Sequence, residues 1–355
     1  SAARFSAQDR LQVEVRNPLT TQRRSQASVV SDTYSTSVTP FGLPGTGACS
    51  ISISAFPDMQ LENRVAGLIG YPHGCLEQTT SKGFAQMHLG AWVELTADQQ
   101  KRLKKNVRAT LNKIRGRQMT SGGFRYWPSS REVSVWGSTY AGQFIVAARD
   151  AGYDLPPKML EEYLRYEKKA ARQWSFVSGT RWQAFSQAYR LYVLAKAGKA
   201  ELGAMTRLKN TANLPVNAQV LLSAAYAVVG EQALAQALLK DVGAMENIGG
   251  YYTYGSALRN NAMLIEAHHL SGNKELAMEL AMALADGLAE GWHSTQTFAY
   301  SLNVLTTFYG GSDERSLDMT LSIDGASQRV SSTERVMGFP VEGFGSAGSR
   351  GATEI

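Results

Sequence analysis

From about residue 58 to about residue 312 the apolar residues recur in steps of three and four, the period of an amphipathic helix. This pattern predicts helices near 76–94, 98–116, 135–151, 157–172, 181–197, 215–229, 231–243, 256–271, 274–286 and 295–309. The connecting stretches echo one another. Gly122-Gly123-Phe124 returns as Gly249-Gly250-Tyr251, and Trp136-Gly137-Ser138-Thr139 returns as Tyr254-Gly255-Ser256-Ala257 and as Trp292-His293-Ser294-Thr295. Each echo carries a Ser or Thr where a helix cap would accept backbone N–H bonds. Helix pairs joined by equivalent turns bury their faces on their neighbours, which means a closed or stacked helical array.

The ends of the chain read differently. Leu11-Gln12-Val13-Glu14-Val15 and Cys49-Ser50-Ile51-Ser52-Ile53-Ser54 alternate as strands do, and Gly42, Pro44, Gly45 and Gly47 punctuate the stretch between them. Near the other end Leu317–Ile323 alternates too, and Asp324-Gly325 offers a hairpin turn before Gln328-Arg329-Val330. A few strands on each side of a helical block predict a β domain interrupted by a large insertion. From Gly338 onward the chain is rich in Gly and Ser and is expected to be loose or cut mid-domain.

At the start of the first predicted helix stands Tyr71-Pro72-His73-Gly74-Cys75-Leu76-Glu77-Gln78-Thr79-Thr80-Ser81. Pro72 and Gly74 break regular structure, whereas Leu76, Thr80, Gly83, Met87 and Ala91 keep the helical step. Cys75 therefore begins a helix with Gln78 three residues on, and such residues share a face with Cβ atoms about 5–6 Å apart. At that distance a Cys sulfur reaches the side-chain carbonyl carbon of a Gln. Their condensation expels ammonia and leaves an internal thioester, an electrophile stored in the fold. The free N–H groups and positive dipole end of a helix start suit the charge that develops on the Gln78 carbonyl oxygen and the Cys75 sulfur during attack. Cys-x-x-Gln alone is a weak signal, and a small buried Cys beside an ordinary helical Gln is the plainer reading. For Glu77, a first-turn carboxylate favoured by the helix dipole is explanation enough.

The whole run Gly-Cys-Leu-Glu-Gln-Thr-Thr-Ser, with Tyr-Pro-His before it, closely resembles the thioester region of the alpha-2-macroglobulin and complement superfamily. Leu76 in place of a Gly after the Cys, and the Tyr71-Pro72-His73 prefix, are similar to the bacterial members. The resemblance implies a mainly α chain: an α/α toroid thioester domain (58–312) inserted in a small antiparallel, CUB-like β-sandwich. The two parts of that sandwich are 1–57 and 313–355, the second with the Gly/Ser-rich tail. The Gly–aromatic turns also resemble those of α/α toroids. The resemblance further implies a Cys75–Gln78 cross-link covered by Tyr71, with Pro72, His73, Gly74, Leu76 and Glu77 as motif residues. The function it implies is a single-use trap. A protease cleaves a bait segment elsewhere in the full protein, and a lysine amine of the attacker captures the Gln78 acyl group. Such a trap is stoichiometric, not an enzyme, and has no catalytic residue. The partners implied are target proteases, other domains of the same protein and a penicillin-binding cell-wall synthase. The location implied is the periplasm, in defence of a bacterial cell envelope, with a membrane anchor outside this sequence.

Composition narrows the alternatives. A chain of 355 residues, 44% apolar and 19% charged, is an ordinary globular protein of two or three domains. No apolar run approaches the ~18 residues of a membrane span. Ser1 in place of Met reads as a cut or processed start. The net charge of +6 invites a nucleic-acid reading, but the basic run from Lys101 to Arg117 surrounds Leu103, Val107, Leu111 and Ile114 at helical spacing. One buried stripe with solvated basic faces explains it, and no nucleic acid, metal or cofactor is expected. Cys49 is left as a lone thiol if Cys75 is acylated, with a Cys49–Cys75 disulfide as the competing possibility. Some complement proteins use a downstream histidine to pass the acyl group to hydroxyls. Here none lies between His88 and His268, and no catalytic histidine is assigned. Trp127, Trp136 and Tyr140 are wall candidates better explained as core. The competing classes are a non-reactive interaction module, a catalytic α/α toroid needing paired acids, and a Cys–His hydrolase.

Overall fold

The structure is a computed structural model and describes residues 22, 24, 26, 28, 30, 32–54, 70, 74–92, 95–177, 181–243, 245, 250–289, 293–310, 317–332, 336–344, 353 and 354. The expected strand Leu11–Val15, and Tyr71, Pro72 and His73 of the motif, lie outside the described residues. Two compact units divide the chain: Ser1–Cys49 with Ser322–Ser327 and Pro340–Ile355, and Ser50–Leu321 with Gln328–Phe339.

The larger unit is mainly helical. Its helices are α1 (Leu76–His88), α2 (Ala97–Arg115), α3 (Val135–Asp150), α4 (Met159–Gln173), α5 (Arg181–Lys196), α6 (Leu202–Lys209), α7 (Val216–Val228), α8 (Gln232–Leu239), α9 (Gly250–Thr253), α10 (Ala257–Leu270), α11 (Lys274–Ala289) and α12 (Thr295–Gly310). Helical periodicity anticipates all of these except α6 and α9. One turn of 3-10 helix, Leu89–Ala91, follows α1, so the α-helix itself is shorter than the apolar pattern. Past α8 the chain turns at Asp241, whose φ of 63° no helix continues through.

Six helices are buried over most of their surface and follow one another in contact. Helix α1 packs on α3, α3 on α5, α5 on α7, α7 on α10 and α10 on α12, and α12 returns to α1. The others cover this cycle from outside: α2 against α1, α4 against α3 and α5, α8 against α7, and α11 against α10. Their sequences explain the division. Helix α2 buries only the stripe Leu103, Val107, Leu111 and Ile114, with Asn106 and Thr110 beside it, whereas α3 buries nearly every residue from Trp136 to Ala148. Phe84, Phe124, Phe144, Phe185, Tyr163 and Tyr189 are among the largest fully buried side chains. Each contributes about 1.5–3 kcal/mol by leaving water.

The caps match the echoes in part. Ser256 accepts the Arg259 N–H at 3.1 Å and Ser294 the Thr297 N–H at 3.2 Å, as expected of N-caps. In the remaining copy the cap is Ser134, which accepts from Gly137. Ser138 is inside α3, where it accepts the Phe124 N–H at 2.8 Å. Trp136 and Tyr140 are buried in the core.

The strands are β1 (Ser37–Val38), β2 (Cys49–Ser54), β3 (Leu317–Ile323), β4 (Ala326–Ser332), β5 (Val336–Val341) and β6 (Thr353–Glu354). β1 pairs antiparallel with β6, Ser37 opposite Glu354 and Val38 opposite Thr353. β2 pairs with β5, and β3 with β4. Asp324 and Gly325 join β3 to β4 with φ of 49° and 82°. Both values are positive, as a two-residue hairpin turn that follows strand twist requires.

Candidate functional site

Cys75 is the N-cap of α1, in extended conformation, and Gln78 is its third helical residue. The two side chains close a reciprocal pair. The Gln78 N–H donates to Cys75 Sγ at 3.4 Å, and the Cys75 N–H donates to Gln78 Oε1 at 3.3 Å. This is a capping box with sulfur in place of the usual hydroxyl. The carboxamide is folded back toward the helix start, with its oxygen on the Cys75 N–H.

Gly74 makes room for that fold-back. Its φ is +116°, and a Cβ placed there would lie 2.1 Å from Gln78 Oε1 and 3.0 Å from Gln78 Cδ. Only a residue without a side chain fits both the dihedral and the space. Leu76 is fully buried, and its N–H donates to the Tyr126 carbonyl at 2.9 Å. Cys75 is 3% exposed, while Gln78 reaches the surface. Cys49 and Cys75 are not joined in a disulfide, and burial pushes the Cys49 thiol up.

Glu77 departs from the dipole explanation. Its side chain is 8% exposed, and its Oε1 accepts from Ser81 Oγ at 2.7 Å and from Thr295 Oγ1 at 3.0 Å. Burial pushes its carboxyl above the ordinary range, and the two hydroxyls and the Arg259 charge oppose that shift. Through Glu77 the motif is tied to the start of α12, and Ser81 continues the chain of bonds to Tyr140 Oη at 3.0 Å. Ser256 and Ser294 both meet the Thr297 hydroxyl, at 2.7 and 2.9 Å. The starts of α1, α10 and α12 therefore converge, and their positive dipole ends face one region.

Beneath them lies Arg259, fully buried. It donates to Gln296 Oε1 at 2.6 Å and stands 4.8 Å over the Trp136 ring. Burial lowers its guanidinium to about 10. Elsewhere in the interior, Glu266 accepts from the Tyr192 and Tyr300 hydroxyls, and Arg190 pairs with Glu167. Each buried acid is thus hydrogen-bonded, which is what makes its burial tolerable. Glu161, Glu162, Glu275 and Glu279 lie on the outer helices α4 and α11, away from these buried acids.

Three residues at the site are absent from the motif. Tyr126 Oη is 3.1 Å from Cys75 Sγ, and its ring stacks on Tyr254 with centroids 5.2 Å apart. Trp127, 49% exposed, packs edge-on against Tyr126. Arg117 donates through Nη2 to the Gly74 carbonyl at 2.6 Å and through Nη1 to Thr79 Oγ1 at 3.1 Å. Tyr126 and Tyr254 follow the two Gly–Gly–aromatic turns, so the echo marks both, although it does not reveal that they stack. Nothing in the sequence singles out Arg117 among the basic residues around it.

The histidines divide by end of helix. His268 and His269 close α10, while its cap Ser256 is at the site. At ~1.5 Å per residue the helix separates the two ends by about 20 Å. His88 is equally far down α1 and bonds Asn303 Oδ1 through Nε2 at 2.9 Å. His293, just before Thr295, is the one histidine among the described residues at the Cys75 end.

No protein-family model matches the chain. The alpha-2-macroglobulin of Escherichia coli (strain K12) is 28% identical over 253 residues, covering 66% of this chain and 15% of that protein. Among solved structures, the chain is similar to native alpha-2-macroglobulin from Escherichia coli spanning domain MG7 to the C-terminus. That match has a TM-score of 0.64 at 20% identity and covers 90% of this chain and 54% of the other. Salmonella alpha-2-macroglobulin reacted with methylamine gives a TM-score of 0.65 at 20% identity, over 90% of this chain and 22% of the other. The chain thus spans about 15% of the length of its curated relative. The mainly helical fold is that of the C-terminal region of these proteins, and the chain is a homologue of the bacterial alpha-2-macroglobulins.

Proposed function

We propose that Cys75 and Gln78 condense to an internal thioester and that the chain is the reactive part of a protease trap. The observation that carries this reading is the Gln78 carboxamide folded over Gly74 against the Cys75 N–H, with the Gln78 N–H on Cys75 Sγ. In the condensation Cys75 Sγ attacks Gln78 Cδ, the C–N bond breaks, and ammonia leaves with the thiol proton. In the trapping step a lysine amine of the attacking protease takes the acyl group, an amide forms, and Cys75 is released. The reaction runs once, so the chain acts as an inhibitor rather than an enzyme.

The cycle of contacts from α1 through α12 and back supports an α/α toroid as the thioester domain, 58–312. The strand pairs at the two ends of the chain support a split CUB-like sandwich, 1–57 and 313–355. Tyr71 is proposed as one cover of the bond, with further domains of the full protein covering the rest, because desolvation is what keeps water from such an electrophile. No helix among the described residues is long and apolar enough to cross a membrane. A periplasmic site of action, and a penicillin-binding cell-wall synthase as neighbour, belong to this same reading. The test is peptide mapping after methylamine treatment. The reading expects methylamide at Gln78 and a newly alkylatable Cys75, both lost in Cys75→Ala. A Gln78 peptide that stays unmodified in fresh protein contradicts it.

A further inference from the structure

Arg117 is a buried cation in an unusual position. It is 7% exposed and forms no ion pair among the described residues, and its Nε has no hydrogen-bond partner there. Its other nitrogens bind the Gly74 carbonyl and the Thr79 hydroxyl, on either side of Cys75 in sequence. Burial pushes the guanidinium down, and a negative charge on the Cys75 sulfur would push it back up. An unpaired buried charge is costly. Here the pairing anion exists only once the acyl–sulfur bond opens. Tyr126 Oη is 3.1 Å from the same sulfur, and burial keeps the phenol protonated and able to donate.

We infer that Arg117 and Tyr126 form a leaving-group site for the Cys75 sulfur, an assignment that rests on the thioester reading. The attacking amine nitrogen bonds to the Gln78 acyl carbon. The C–S bond breaks with its electron pair on Sγ, and the amine proton goes to Sγ or to solvent. In that step Tyr126 donates its O–H to the departing thiolate and Arg117 supplies the counter-charge. Neither interaction has its full strength while sulfur is acylated, so both favour the transition state over the ground state.

The test uses Tyr126→Phe, Arg117→Met and Arg117→Lys in the full 355-residue chain. Thiol release by methylamine should slow about tenfold or more in the first two, the size of a hydrogen bond to a charged group. Arg117→Lys, which keeps the charge, should recover part of that rate. A second readout is iodoacetamide alkylation of the liberated Cys75 at neutral pH. It should slow by more than twofold in Tyr126→Phe and Arg117→Met, because the sulfur then lacks its hydrogen-bond donor or its counter-charge. Tyr126→Phe keeps the ring that stacks on Tyr254 and decides the matter if Arg117→Met does not fold. Aminolysis and alkylation rates within twofold of wild type in Tyr126→Phe overturn the assignment. Wild-type protein that is not lighter by one ammonia overturns the thioester reading instead, while the alkylation arm still tests the sulfur's surroundings.

Discussion

Gly74→Ala separates the fold from its chemistry. The added methyl would sit 2.1 Å from Gln78 Oε1, where carbon and its neighbours prefer about 3.5 Å, so the carboxamide must retreat by about 1.4 Å. The obstacle is the far end of a flexible side chain, which can swing outward, so the helix itself survives. The residue must still hold a φ of +116°. For an L residue that costs about 1–3 kcal/mol, or about 2–4 °C of melting temperature for each kcal/mol in a domain of this size. A displacement of about 1 Å from reactive geometry can cost about a hundredfold in rate. The variant should therefore keep its helical circular dichroism, melt about 2–12 °C lower and form little or no thioester. The assay is intact mass with thiol titration before and after methylamine. A folded Gly74→Ala protein with wild-type ammonia loss and thiol yield would refute the argument that this glycine exists to seat the carboxamide.

Other outcomes follow from neighbouring residues. Glu77→Ala removes the acceptor of Ser81 and Thr295 and should cost about 2–3 kcal/mol. Glu77→Gln keeps that oxygen and should stay near wild type, and denaturant titration of both checks the pair. His88 is held at about 4 by burial, against an ordinary value of 6.5, with its bond to Asn303 opposing the shift. The unfolded chain therefore binds the proton first. Stability from this group is full above about pH 6.5 and is lost as pH falls toward 4, by about 3 kcal/mol in all. Unfolding of wild type and His88→Gln across pH 4–7 reads the difference, and identical pH slopes would contradict it. With His268 and His269 about 20 Å from the site, methylamine should label Gln78 in preference to glycerol at equal concentration. An ester yield matching the amide would point to His293, and His293→Ala would then abolish it.

The fold was legible where local sequence decides it. The long helices announce themselves by apolar spacing, and the β3–β4 hairpin by Asp324-Gly325. The eight residues of α6 carry Gly203 and lack a capping side chain, so nothing local marks them, and tertiary burial of Ala204, Met205 and Leu208 forms the helix. The same split runs through the candidate site. Cys75 and Gln78 are three residues apart on one helix, which spacing reveals. Arg117 and Tyr126 arrive from a turn after α2, about 40 to 50 residues away, and only the fold brings them to the sulfur. The first-turn place of Glu77 is legible, but its burial is not, because a first-turn carboxylate already has a sufficient local explanation. Its burial depends on Thr295, at the far end of the helical block.

Intact mass before and after methylamine reads the proposed covalent bond between Cys75 and Gln78 itself. Fresh protein should be lighter than its sequence by one ammonia. Methylamine should then add its full mass and release one thiol, and Cys75→Ala should show neither change. Fresh protein at its full sequence mass, with Cys75 already titratable and no response to amine, would mean that the bond does not form.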